Sequence, residues 1–267
     1  MPEGDTVFLA GKLLDKALAG KTLVRGEFRH PALAGVDLSG HEVLGVDTVG
    51  KHLFTRFSGE LTLHSHLRMD GTWRIHAAGA KWPLPGHHAR VVLTTADLEA
   101  VGFRLHDLDL VPSAEAPGLV AHLGPDLLDP QWTDEHAARA VAALGAEPGR
   151  ELGEALLDQR VMAGVGNMYK VEICFLLGVS PWTPVSEVDL TKTVALARRL
   201  LLANAWRHEQ ITTGDPGRGR QNWVYGRGRP GCFRCGGRVR VADQGEGVRR
   251  RPTWFCPRCQ PGPAPAG

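Results

Sequence analysis

The sequence predicts an α+β multidomain protein: an N-terminal antiparallel β-sandwich with flanking helices, a helical domain, and a C-terminal β-hairpin built around four cysteines. Three observations carry this expectation. From Thr22 to about Leu110 apolar residues alternate with period two, the mark of half-buried strands. After Pro130 they recur at helical spacing. Near the C-terminus two CxxC turns, Cys232/Cys235 and Cys256/Cys259, are separated by twenty residues.

The elements follow in order. Residues 4–19 read as a helix, because Val7, Ala10, Gly11, Leu14 and Leu18 share a face and Gly20 stops it. Strands are expected at 43–49, 52–57, 61–67, 72–75 and 90–94. Pro112, Pro117, Gly124 and Pro125 mark a flexible connector. Helices are expected at 134–144, 153–158, 167–177 and 189–206. The Gly/Arg/Pro-rich stretch 214–231 leads into the cysteine module, whose hairpin should run from Arg238-Val-Arg-Val through Gly245 and Gly247 to residues 248–255. Residues 261–267 read as a frayed tail. The expected domains are therefore 1–118, 119–229, 230–260 and the tail.

Composition narrows the function classes. Of 267 residues 43% are hydrophobic, enough to exclude global disorder, and no apolar run reaches the eighteen or so residues of a membrane span. Met1-Pro-Glu-Gly-Asp carries acids where a signal peptide needs basic residues, so a cytoplasmic protein is expected. The net charge of +2 hides an asymmetry. Residues 218–259 hold eleven arginines, no lysine and two acids, whereas the remainder holds 20 basic and 27 acidic residues. A basic block on a mildly acidic body points to a polyanion partner. Trp223, Tyr225, Trp254 and the four cysteines argue against a merely solvated tail.

Each CxxC places two thiolates on one tight turn, and two such turns close a tetrahedral zinc site. With all four positions taken by Cys232, Cys235, Cys256 and Cys259, no ligand position remains for a reacting water, so the zinc is expected to be structural. Redox dithiols and disulfides are the alternative, which a cytosolic chain disfavours. Cys174, alone on an apolar helix face, reads as a buried structural thiol.

At the N-terminus a small second residue favours removal of Met1, leaving Pro2 with a free secondary amine. An α-amine has a reference pKa near 8 against ~10.4 for lysine, so far more of it is unprotonated at neutral pH. Such an amine can attack a sugar C1′ and form an iminium intermediate, and Glu3 beside it could give and take protons. Taken alone, Pro-Glu-Gly-Asp reads better as a helix entry, with proline preorganising the first turn.

Three motifs together are more specific than any one. They are Met1-Pro-Glu-Gly-Asp, then Leu157-Asp-Gln-Arg-Val-Met-Ala-Gly-Val-Gly-Asn-Met-Tyr169, then Val224-Tyr-Gly-Arg followed by the four cysteines. In this order and spacing the chain resembles the formamidopyrimidine-DNA glycosylase/endonuclease VIII family from Pro2 to Gln260. The resemblance implies a helix–two-turn–helix domain, a zinc finger, and DNA crossing between the first two domains. It makes Pro2 the nucleophile, Glu3 the acid that protonates the deoxyribose ring oxygen, and Lys51 a phosphate-binding lysine. Asn167 and Arg251 become phosphate contacts; Met69 becomes the wedge that fills the hole left by an extruded base, with Arg68 reaching the orphaned partner.

Bland readings stand beside these. Lys51 is also an exposed strand-end lysine, Asn167 an N-cap for the following helix, and Met69 ordinary core. Arg249 and Arg250 flank Arg251. The purine-directed branch keeps an Arg-Phe pair on a second intercalating loop; here Phe103-Arg104 comes in reversed order and reads as strand. That favours the endonuclease VIII branch and oxidised pyrimidines, with a purine-directed glycosylase as the alternative and a non-catalytic zinc-finger relative as a rival of another class. His64 and His66 share a strand face and His87 and His88 a turn, but no carboxylate at ligand spacing accompanies them, so a second metal is not expected. Damaged DNA is the expected partner of a monomer.

Overall fold

The computed structural model describes residues 2–247 and 250–265. Met1 and the expected hairpin residues Val248 and Arg249 lie outside the described residues, as do Ala266 and Gly267 of the expected tail. The chain divides into two compact units, Met1–His122 and Leu123–Gly267.

In the first unit, helix α1 (Gly4–Leu18) precedes eight strands. β1 (Arg25–Phe28), β6 (Ala89–Thr94), β7 (Leu98–Phe103) and β5 (Thr72–Ala77) form one four-stranded antiparallel sheet in that order. β2 (Val43–Val49), β3 (His52–Phe57), β4 (Leu61–His66) and β8 (Asp107–Pro112) form the other. The alternation read from the sequence points Leu53, Phe57 and Leu63 of one sheet toward Phe28, Val91 and Leu93 of the other, and Val7, Leu14 and Leu18 of α1 join the same core. This is the expected sandwich. β6 and β7 are buried on both faces, because Trp82 and Leu84 cover Val92, Val101 and Phe103 from outside. Their sequence is therefore a nearly continuous apolar run, which explains why β7 escapes an alternation search.

The second unit is helical, with α2 (Asp134–Gly145), α3 (Leu152–Leu157), α4 (Asn167–Leu177) and α5 (Leu190–Asn204). α4 is buried from Asn167 to Phe175, its polar Asn167, Lys170 and Glu172 included, and Gly178 ends it in the left-handed region at φ +76°. The hairpin pairs β9 (Arg240–Gln244) with β10 (Arg251–Phe255). It starts two residues later on its first strand than the sequence suggests. Among the described residues no helix is long and apolar enough to cross a membrane.

Candidate active site and metal centre

Glu3 is the N-cap of α1, extended at φ −123° and ψ −174°, and its carbonyl accepts the Val7 amide at 3.0 Å. Its side chain is buried and makes no cap bond to the first turn. Pro2 therefore lies two residues ahead of the first helical residue and is half-buried. Pro-Glu-Gly-Asp is thus the entry to α1, with Glu3 as N-cap and Asp5 in the first turn, but Pro2 stands just outside that turn.

Helix α1 is fixed along β2 at two points. Asp15 Oδ1 accepts the Val46 amide at 2.9 Å, and a Cβ on Gly11 would collide with Thr48 Cγ2. Four helical residues rise about 6 Å, as do two strand residues. α1 and β2 thus run antiparallel, and Pro2 and the end of β2 lie at one end of the unit. There Gly50 and Lys51 make the two-residue turn into β3, with Val49 paired to His52. Gly50 takes φ +58°, as the first position of a type II′ turn requires. Lys51 is half-buried. His52 in turn pairs with His66, the last residue of β4, so the loop 67–71 starts at this same end. The α1–β2 contacts and the strand register together put Pro2, Glu3, Lys51, Arg68 and Met69 at the same end of the unit.

That loop is closed by the Gly71 amide donating to the Leu67 carbonyl at 2.8 Å. Met69 at its tip is 64% exposed, so it is not core. Arg68 is left-handed at φ +50°; its amide donates to His66 Nδ1 at 2.9 Å and its guanidinium to Asp107. Asp70 faces His106 at 3.4 Å and Arg104 at 3.9 Å. Arg104 is not strand: it leaves β7 at φ +53°, and its amide donates to the His88 carbonyl at 2.8 Å. Its charged contact with Asp70 of the 67–71 loop is invisible in the local sequence pattern.

The histidines bond to one another. His64 Nδ1 is 3.1 Å from Asp109 Oδ2, and its Nε2 is 2.8 Å from His52 Nδ1. The Asp109 contact at Nδ1 turns the other ring nitrogen of His64 toward His52. Burial, then the charge of His66 and His64, pushes His52 down to about 3. Burial, then Arg68, pushes His66 down to about 4.

In the second unit the segment before α4 is stapled by Gln159. Its amide nitrogen donates to the Val165 carbonyl at 2.9 Å and its oxygen accepts the Gly164 amide at 3.1 Å, with Gly164 at φ +113°. Gly166 caps α4, so Asn167 is the first helical residue and not the N-cap. Asn167 Nδ2 donates to the Pro252 carbonyl at 2.9 Å, while its buried Oδ1 has no partner. Gly164 and Gly166 stand immediately before this helix start. Arg251 opens β10 opposite Gln244, half-buried, with Nη1 donating to the Arg250 carbonyl at 2.8 Å.

The four cysteine sulfurs lie within 4.8 Å of one another, with Cys232–Cys259 at 3.9 Å and Cys235–Cys256 at 3.6 Å. A tetrahedral ion about 2.3 Å from each sulfur would set edges near 3.8 Å, so this cluster is built to hold a metal. Cys232 and Cys256 pack with Val171 and Phe175 of α4 in one core. Cys174 is buried away from them, and burial pushes its thiol up to about 12, which keeps it inert.

Sequence reasoning missed Lys170 and Glu172, both fully buried on α4. Glu172 accepts the amides of Trp223 at 2.8 Å and of Val224 and Tyr225 at 2.9 Å, together with the Thr212 hydroxyl. Burial raises its pKa against the pull of those bonds. The signal was present: two charged residues in an otherwise apolar helix.

A two-sheet sandwich preceded by a half-buried proline next to the N-terminus, a helical unit with a glycine-flanked helix start, and a four-sulfur hairpin define a DNA glycosylase fold. The chain belongs to the formamidopyrimidine-DNA glycosylase family: the family's N-terminal domain model matches residues 1–108 and its H2TH domain model residues 123–215. Within it, the chain is 55% identical to a probable endonuclease 8 2 of Streptomyces coelicolor, covering 99% of this chain and 96% of that protein. It is 47% identical to the DNA-(apurinic or apyrimidinic site) lyase Nei2 of Mycolicibacterium smegmatis, over 97% of this chain and 99% of that one. An endonuclease 8 of Escherichia coli is 32% identical over 97% of this chain. The fold matches that of Lactococcus lactis Fpg bound to DNA containing N7-benzyl-Fapy-dG, with a TM-score of 0.79 at 21% identity, covering 98% of this chain and 100% of that one.

Proposed function

We propose that this protein is a bifunctional DNA glycosylase and abasic-site lyase of base excision repair, acting mainly on oxidised pyrimidines. The observation that carries the reading is whole-length likeness to an endonuclease 8 and an abasic-site lyase, in a chain whose Pro2 stands outside α1 beside a buried Glu3.

With Met1 removed, the Pro2 nitrogen attacks C1′ of the damaged nucleotide. The C1′–base bond breaks and the base departs with its electron pair, taking up a proton. Glu3 protonates the ring oxygen as the C1′–O4′ bond opens, leaving an iminium ion between Pro2 and the sugar. Loss of a C2′ proton expels the 3′ phosphate, and a second elimination expels the 5′ phosphate. Lys51, Asn167 and Arg251 bind backbone phosphates, Met69 fills the vacated stack, and Arg68 turns to the orphaned base. The metal of the finger is zinc, which supplies rigidity and no reaction step. The protein acts as a monomer.

Borohydride reduction of the mixture with abasic-site DNA tests this reading: a covalent adduct is expected, and it should vanish when the terminus is acetylated or extended. DNA binding with no adduct from the processed protein would make it a reader without catalysis. Faster cutting of 8-oxoguanine than of thymine glycol duplexes would overturn the pyrimidine preference.

A further inference from the structure

Lys170 is fully buried, one turn after Asn167 on α4. A buried ammonium is costly unless its geometry is used, and an apolar side chain would suit this helix better. Lys170 Nζ donates to the Thr253 hydroxyl and to Gln244 Oε1 at 3.4 Å. Thr253 Oγ1 in turn donates to the Arg251 carbonyl at 3.2 Å. Gln244 is the pairing partner of Arg251, and its amide is anchored on Glu151 Oε2 at 2.8 Å and the Pro181 carbonyl at 2.9 Å. Gly153 leaves the room for that amide, since a Cβ there would collide with it. Asn167 meanwhile holds the Pro252 carbonyl.

Pro252 and Thr253 of β10 are thus tied to side chains of the first turn of α4, and Arg251 is joined to them through the Thr253 hydroxyl. Asn167 and Arg251, 84 positions apart in sequence, become parts of one rigid body. Only a group with several donors and no acceptor can bind the hydroxyl and the amide oxygen at once while leaving the hydroxyl proton for Arg251. Its charge also adds to the positive end of the α4 dipole, where an anion would sit.

We propose that Lys170 is a positioning residue of the phosphate grip, locking β10 to α4 so that Asn167 and Arg251 engage the DNA backbone in fixed register. This rests on the assignment of Asn167 and Arg251 as phosphate contacts.

The test is a double-mutant cycle on the full-length, metal-loaded protein with a duplex carrying a tetrahydrofuran abasic analogue, across a salt series. Arg251→Ala is expected to weaken binding roughly tenfold, the scale of one charge-assisted hydrogen bond. Lys170→Met should weaken it comparably and lower the salt slope by about one phosphate, and Lys170→Met/Arg251→Ala should bind no worse than Arg251→Ala by more than about twofold. On cleavable abasic DNA, Lys170→Met should raise KM with kcat little changed. Thr253→Val, which keeps shape and charge but cuts the relay, should lose several-fold and be equally non-additive with Arg251→Ala. It serves as the test if Lys170→Met fails to fold. Losses that multiply with that of Arg251→Ala overturn the positioning role alone, as does a lowered melting temperature with binding and salt slope unchanged. Undiminished binding by Arg251→Ala overturns the phosphate assignment, and the proposal with it.

Discussion

His52 follows the Lys51 turn and pairs with His66 at the start of the 67–71 loop, and its state is set by burial among its own kind. Held at about 3, with His66 at about 4, both against an ordinary 6.5, these rings stay neutral in the folded protein where the unfolded chain would charge them. Between about pH 6.5 and pH 3 the unfolded state binds more protons, so stability is complete above 6.5 and is lost as pH falls. Melting temperature should drop progressively below pH 6.5, and His52→Gln or His66→Gln should flatten that slope. Met69 shows the opposite economy: with 64% of its surface exposed it contributes little to folding. Met69→Ala should change stability by no more than about 0.5 kcal/mol. Excision of a paired damaged base should fall roughly tenfold, because the emptied stack costs a few kcal/mol. Parallel melting and single-turnover assays would check both, and an unchanged excision rate would remove Met69 from the wedge.

Helices α1 and α4 each place chemistry by one feature that the hydrophobic pattern does not show. On α1 it is Gly11, where the helix touches Thr48 of β2 without room for a side chain. Gly11→Val should cost about 1–3 kcal/mol by overpacking and shift Pro2 relative to the Lys51 turn. Urea titration should show the loss, together with a reduced yield of trapped adduct. On α4 it is Glu172, whose two oxygens gather three backbone amides and a hydroxyl of the segment leading to the cysteines. Glu172→Gln offers one acceptor oxygen where two are used and turns an NH2 group toward donors. A destabilisation of about 1–3 kcal/mol by chemical denaturation is the expected outcome.

For the whole molecule, metal and charge set the conditions of binding. Removing the metal leaves four thiols packed within 4.8 Å beside Val171 and Phe175, so the disturbance reaches α4 and with it Asn167 and Lys170. The core of the first unit includes no residue of the finger. Chelation should therefore lower the melting temperature and abolish tight DNA binding, both restored by adding zinc. Eleven arginines between residues 218 and 259 predict affinity that falls steeply with salt, with log Kd linear in log salt. A salt-independent Kd would remove the basic block from the interface.

Much of this was legible in the residues themselves. Period-two alternation marks 43–49 and 52–57, where β2 and β3 lie, because Val43, Leu53 and Phe57 all face the core between the sheets. The four cysteines announce a metal site because a tetrahedron needs little beyond two CxxC turns. The order of the three motifs carries the family. Other features were settled only by folding, since they depend on residues far apart in sequence: Arg104 meeting Asp70, His64 spent between Asp109 and His52, Lys170 reaching Thr253. Local propensity registers which face of an element is apolar. It does not register which distant partner a polar side chain will find, and here such partners hold Arg68 on Asp107, Asn167 on Pro252 and Arg251 on Thr253.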